Sequence, residues 1–225
     1  MKHIDKEIQK LSNELGSMWL LVLSQLEKAQ QSYLANDMAL AREVIERENY
    51  VDAYELQIDR ASENHIALYS PVAIDLRQIL ALMSISRTLE RIGDFAAGIA
   101  LHVISRDCED IPLAQQEELG VAQMMSKCYE MLGTCYQVYT SGNTLVASGI
   151  IEMDQAVHSL YNEAPKTLTS YLTQQPQHIY CGMKLLLLIR KLERIGNHCC
   201  NIVEDLVFYL DAKVLKHSHQ AEGKR

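Results

Sequence analysis

The sequence predicts an all-α protein: two tandem copies of a three-helix bundle, carried by six long helices. Three observations lead there. Aromatic residues make up only 6% of the chain and prolines number four, while Leu, Ala, Glu, Gln and Met fill long stretches, a balance that favours helix over strand. Apolar residues recur near every 3.6 positions over runs of about thirty residues. Sliding the chain against itself by 103 residues superposes Arg87–Ala100 (RTLERIGDFAAGIA) on Arg190–Val203 (RKLERIGNHCCNIV) with seven identities in fourteen positions, an internal repeat.

The first helix, expected over 3–35, is entered directly from the charged amphipathic start Met1-Lys2-His3-Ile4-Asp5-Lys6. Asn36-Asp37 separates it from the second, over 39–68, and Tyr69-Ser70-Pro71 separates the second from the third, over 73–106. The third shows its apolar stripe in Leu82, Ile85, Leu89, Ile92, Ala96 and Ala100. After Asp107 to Pro112 a fourth helix is expected over 113–140, ended by Ser141-Gly142-Asn143. A fifth, over 145–173, contains Pro165, which removes a donor and should kink it; the equivalent position in the first half is Ser62. Gln174-Gln175-Pro176 leads into the sixth, over 178–211. Connections this short make neighbouring helices antiparallel, and rods of about thirty residues would be ~45 Å long. The repeat sets the units at 1–110 and 111–211, followed by a polar, frayed tail at 212–225.

The chain has 29 acidic and 21 basic residues, a formal charge of −8, which repels nucleic-acid backbones. Cys108, Cys128, Cys135, Cys181, Cys199 and Cys200 show no C-x-x-C spacing, and four sit in apolar helical patterns; they read as reduced, mostly buried thiols. The amino terminus lacks the apolar stretch of a secretory signal, which points to a cytoplasmic chain. The apolar runs Met18–Leu23 and Leu185–Ile189 fall far short of the ~18 residues of a membrane span, so membrane contact is expected to be peripheral, through partners.

Chemistry concentrates on two helices. Glu90 and Asp94 lie one turn apart on the third helix, beside the small residues Gly93 and Ala97, and Glu55 and Asp59 repeat the same E-x-x-x-D spacing on the second. Two readings stay open. Four carboxylates converging across an antiparallel pair would demand a cation, and oxygen donors suit hard ions such as Mg, Mn or iron. Alternatively, Arg87 three residues before Glu90 and Arg91 three before Asp94 form ordinary helix-surface pairs worth about 0.3–0.5 kcal/mol.

At the equivalent positions of the second half stand His158, Asn162, Glu193 and Asn197. These either bind a metal through His158 and Glu193, with Asp154 or His198, or form a hydrogen-bonded polar patch. His198-Cys199-Cys200 point in different directions on a helix, which gives Cys199 to the core. No Glu is followed three residues later by His, as a di-iron bundle oxidase requires, and there is neither a G-x-x-x-x-G-K-[ST] loop nor a G-x-S-x-G elbow; no enzyme is expected, nor any organic cofactor.

Pro71-Val72-Ala73-Ile74-Asp75-Leu76-Arg77, then Leu89-Glu90-Arg91-Ile92-Gly93-Asp94 and Leu192-Glu193-Arg194-Ile195-Gly196-Asn197, resemble the PhoU family, and the resemblance spans almost the whole chain. It implies a cytoplasmic negative regulator of phosphate uptake and phosphate-starvation signalling. Its implied partners are the nucleotide-binding subunit of the phosphate ABC transporter and a sensor histidine kinase of a two-component system, with a homodimer expected. The alternative is an accessory role at another phosphate permease. The likeness also implies iron or zinc held by E/D-x-x-x-D motifs, here Glu55, Asp59, Glu90 and Asp94; the second half departs from that pattern at His158, Asn162 and Asn197.

Overall fold

The computed structural model describes residues 3–105 and 111–211. The boundary expected near residue 110, Cys108 and the expected tail at 212–225 lie outside them. The helices are α1 (His3–Ala35), α2 (Met38–Tyr69), α3 (Ile74–Ile104), α4 (Leu113–Glu118), α5 (Val121–Ser141), α6 (Ala147–Gln174) and α7 (Ile179–Asp211), with 3-10 turns at Thr144–Val146 and Pro176–His178. Helices α1, α2 and α3 pack together as one bundle and α5, α6 and α7 as the other. No helix among the described residues is long and apolar enough to cross a membrane.

The turns follow from local chemistry. Asp37 caps α2, its carboxylate accepting from the Ala39 and Leu40 amides at 2.9 and 3.0 Å. Ser70 closes the same helix in a left-handed conformation, its amide donating to Ile66 O. Ala73, just after the proline turn, is held at φ 50, ψ −108, a strained geometry for a residue with a Cβ. The expected single helix over 113–140 is in fact two, α4 and α5. Gly120 divides them at φ +67, a conformation that strains a residue with a Cβ, and a Cβ there would come within 2.9 Å of Leu160 Cδ2 and push the leucine aside. Helix α6 continues through Pro165.

One apolar core runs through both bundles. Leu15, Trp19, Ile58, Leu89 and Ile92 fill the first and Met131, Cys135, Ile195 and Cys199 the second, each fully buried. The bundles join along two antiparallel seams. On α1 and α5, Trp19 Nε1 donates to Leu132 O at 3.3 Å, its indole stacks on Tyr139 at 5.3 Å, and the Tyr139 hydroxyl donates to Ser12 O at 2.6 Å. Burial pushes the Tyr139 phenol up to about 12, so it stays a donor. On α3 and α7, Ser84 Oγ donates to Asp205 Oδ2 at 2.6 Å near one end, and Lys184 Nζ donates to Ser105 O at 3.0 Å near the other.

Four cysteines match the expectation of reduced thiols: Cys128, Cys135 and Cys199 are buried and free, and Cys200 is half-buried and free. Cys128 Sγ donates to Leu192 O at 3.2 Å. Cys181 departs from it, being disulfide-bonded. Close C-x-x-C spacing carries no trace of a bond that tertiary packing creates.

Candidate functional site

The acidic residues of α2 and α3 form a ridge along the seam between the two helices. On α2 it comprises Glu48, Asp52, Glu55 and Asp59, and on α3 Glu90 and Asp94. Their mutual influence is direct. The Glu90 carboxyl is raised by burial and then by the charges of Asp94, Glu55 and Asp52. Glu55 is raised by burial, Asp59 and Asp52. Glu48 is raised to about 7, first by burial and then by Asp94 and Asp52, while Gln25 Nε2 donates to its Oε2 at 2.9 Å and works in the opposite direction. Four of these acids were expected from the sequence. Glu48 and Asp52 were missed, although their E-x-x-x-D spacing stands seven residues before that of Glu55 and Asp59, two helical turns along the same face.

The pairing of Arg87 with Glu90 that the second reading supposed is not formed. Arg87 reaches across to α2 and binds Asp59, Nη2 to Oδ2 at 2.9 Å. A longer-range partner wins over the neighbour on its own helix because the α2–α3 approach brings Asp59 alongside. That approach passes Gly93, where a Cβ would meet Gln25 Oε1 at 3.2 Å and Val51 Cγ1 at 3.3 Å. Arg91 does not pair with Asp94 either, forming no ion pair among the described residues.

The ridge suits a hard cation in its donor chemistry, which is all carboxylate oxygen. Two of those oxygens, Glu48 Oε1 and Asp59 Oδ1, are buried without a hydrogen-bond partner. As the side chains stand, no three His, Cys, Asp or Glu groups among the described residues converge enough to hold an ion. The donor types fit a cation, as does their charge, which Arg87 offsets only at the Asp59 end, and rotation of the carboxylates would be needed to gather around one.

The second half is electrostatically different. At the six positions equivalent to the ridge stand Ile151, Gln155, His158, Asn162, Glu193 and Asn197, one carboxylate in place of six. Glu193 Oε1 accepts from Asn197 Nδ2 at 2.7 Å and lies 3.7 Å from Nδ1 of the exposed His158. The amide–carboxylate hydrogen bond is what the polar-patch reading calls for, and the approach of His158 to Glu193 is what the metal reading calls for. Asp154 lies against Gly196, where a Cβ would meet its Oδ1 at 2.7 Å, and its charge raises the Cys200 thiol further after burial has done so. His198, entertained as a further ligand beside His158, faces α3 instead and stacks on Phe95 at 5.7 Å. A helix step of 100° separates it from Asn197 and hence from the polar patch.

Comparison with known proteins places this geometry in a family. A family model described as the PhoU domain matches twice, over residues 15–103 and 121–206. The chain is 31% identical over 217 residues to the phosphate-specific transport system accessory protein PhoU homolog of Aquifex aeolicus, covering 96% of this chain and 97% of that protein. It is 28% identical to the protein of the same description in Rhizobium meliloti, covering 92% and 87%. Among solved structures, the phosphate transport system regulatory protein PhoU from Streptococcus pneumoniae superposes with a TM-score of 0.83 at 25% identity, covering 95% of this chain and 99% of that one. PhoU from Pseudomonas aeruginosa shares the fold with a TM-score of 0.86, covering 94% and 100%. With both halves matched, the repeated three-helix bundle and its L-E-R-I-G seams belong to one lineage: this chain is a member of the PhoU domain family.

Proposed function

We propose that this chain is an accessory regulator of phosphate-specific transport, acting in the cytoplasm as a docking protein and not as an enzyme. The observation that carries the reading is the match of both halves to the PhoU domain, together with near-full-length relatives named as phosphate-specific transport system accessory proteins. In this reading a homodimer of the chain binds the nucleotide-binding subunit of the phosphate ABC transporter and a sensor histidine kinase, and represses uptake and starvation signalling when phosphate is plentiful. Regulation of that kind needs only a difference in affinity between two states of the partner, with no bond made or broken. Membrane association comes through the partners.

The acidic ridge belongs to the same proposal as a cation site, held by Glu55, Asp59, Glu90 and Asp94 and extended by Glu48 and Asp52. Iron, zinc, magnesium and manganese are the candidates. A bound cation would neutralise the like charges that add to burial in raising Glu48, Glu55 and Glu90, and so change the charge of the face offered to a partner. In the second half Glu193 and His158 remain the candidate pair.

Co-purification tests the docking. The tagged chain is expected to bring down the transporter's nucleotide-binding subunit or the kinase, with recovery changing between high and low phosphate. Recovery of neither partner in both conditions overturns the proposal.

A further inference from the structure

The α3–α7 seam gathers positive charge that the acidic ridge does not use. Arg91, Phe95 and Gly98 lie along one face of α3 at spacings of four and three residues, and Lys191, Arg194 and His198 lie along the facing stripe of α7 at three and four. Contacts tie the two stripes together. Phe95 stacks on His198, and the Arg194 guanidinium sits over the Phe95 ring, 5.2 Å from its centroid. Lys191 lies across Gly98, where a Cβ would collide with its ammonium. Arg91 and Arg194 both act on His198, whose imidazole is held below its ordinary pKa first by burial and then by these two charges.

Arg91 and Arg194 are also equivalent residues, the arginines of the two L-E-R-I-G copies, and one from each half is close enough to His198 to act on its imidazole. In a chain of net charge −8, none of Arg91, Lys191 and Arg194 forms an ion pair among the described residues. Glu90 feels the charge of Arg91, but as the smallest influence on it. The Lys191 ammonium is half-buried and held below its usual range by burial alone, with no carboxylate to compensate. His198 Nδ1 is buried with no partner. The guanidinium groups of Arg91 and Arg194 are exposed and free to reach a ligand, while the half-buried Lys191 ammonium and the buried His198 Nδ1 lack the partner that an anion would supply.

We propose that this seam is an oxyanion site that takes inorganic phosphate, with Arg91 and Arg194 as bidentate clamps, Lys191 as a point charge from below and His198 as a further hydrogen-bonding group. Guanidinium forks match tetrahedral oxyanions in shape as well as charge, which sets phosphate above chloride as the ligand. The inference goes beyond the docking reading and does not require it, since phosphate binding is measured on the isolated chain and docking by co-purification.

Titration calorimetry with inorganic phosphate, at ionic strength held constant with chloride, tests it. The wild-type chain is expected to bind, and the Arg91→Gln/Arg194→Gln double variant to bind at least about tenfold more weakly. Lys191→Met keeps the aliphatic stem across Gly98 and removes the charge, so it provides a second variant should the first misfold; it too is expected to weaken phosphate. Wild-type affinity in both folded variants, or no binding by the wild type at constant ionic strength, overturns the proposal.

Discussion

Glu48→Gln isolates the electrostatic strain in the ridge. The glutamate is half-buried beside Asp94 and Asp52, and its carboxyl is raised from 4.5 to about 7. A carboxyl whose pKa is higher in the folded state than in the unfolded one costs stability when it ionises. The cost is absent below the unfolded value near 4.5, grows between 4.5 and about 7, and is complete above 7. At about 1.4 kcal/mol per pH interval of displacement the full cost is about 3 kcal/mol, and the water reaching a half-exposed group reduces it to about 1–2. Glutamine keeps an acceptor for Gln25 Nε2, matches the volume and never ionises. Urea unfolding of wild type and variant, with shared m-values, is therefore expected to show the variant more stable by about 1–2 kcal/mol at pH 8 and equal to wild type at pH 4.5. A variant that is less stable at pH 8, or a gain that is the same at both pH values, would refute the account of Glu48 as a charge forced into the ridge.

Other consequences can be measured on the same protein. Glu90→Gln/Asp94→Asn is expected to lower the content of iron, zinc, magnesium or manganese in the purified protein, read by elemental analysis; an unchanged content argues that the ridge holds no ion. Gly120→Ala should cost about 1–3 kcal/mol in chemical denaturation, because it forces a Cβ to φ +67 and into Leu160; a neutral result would mean that α4 and α5 are not divided by that turn. Ala73→Gly should gain about 1 kcal/mol by relieving the backbone at φ 50, ψ −108, and a loss of stability would show that the methyl is needed more than the strain hurts.

The helices and their duplication were legible because a 3.6-residue period and a 103-residue echo are written in the order of the side chains. What was not legible depended on the third dimension. Gly120 reads as an ordinary interruption of a helical pattern until its φ of +67 and the overlying Leu160 show that the rod must turn there. Arg87 has an acid three residues along its own helix, yet it pairs with Asp59, which packing brings closer in effect than sequence does. Glu48 and Asp52 carry the same spacing as the acids that were recognised, so the limit there was a motif read too short. The placement of His198 on Phe95 could not be found from α7 alone, because its neighbour comes from the other half of the chain.

The two bundles share one continuous core, yet six carboxylates on one side answer to a single carboxylate on the other. That imbalance is local to the α2–α3 face, because the rest of each copy carries charges of both signs. A cationic surface brought close to that face would meet a concentrated negative field there, whereas the matching face of the second copy offers hydrogen-bonding groups in its place. The two copies repeat the same scaffold and differ in what this one face presents.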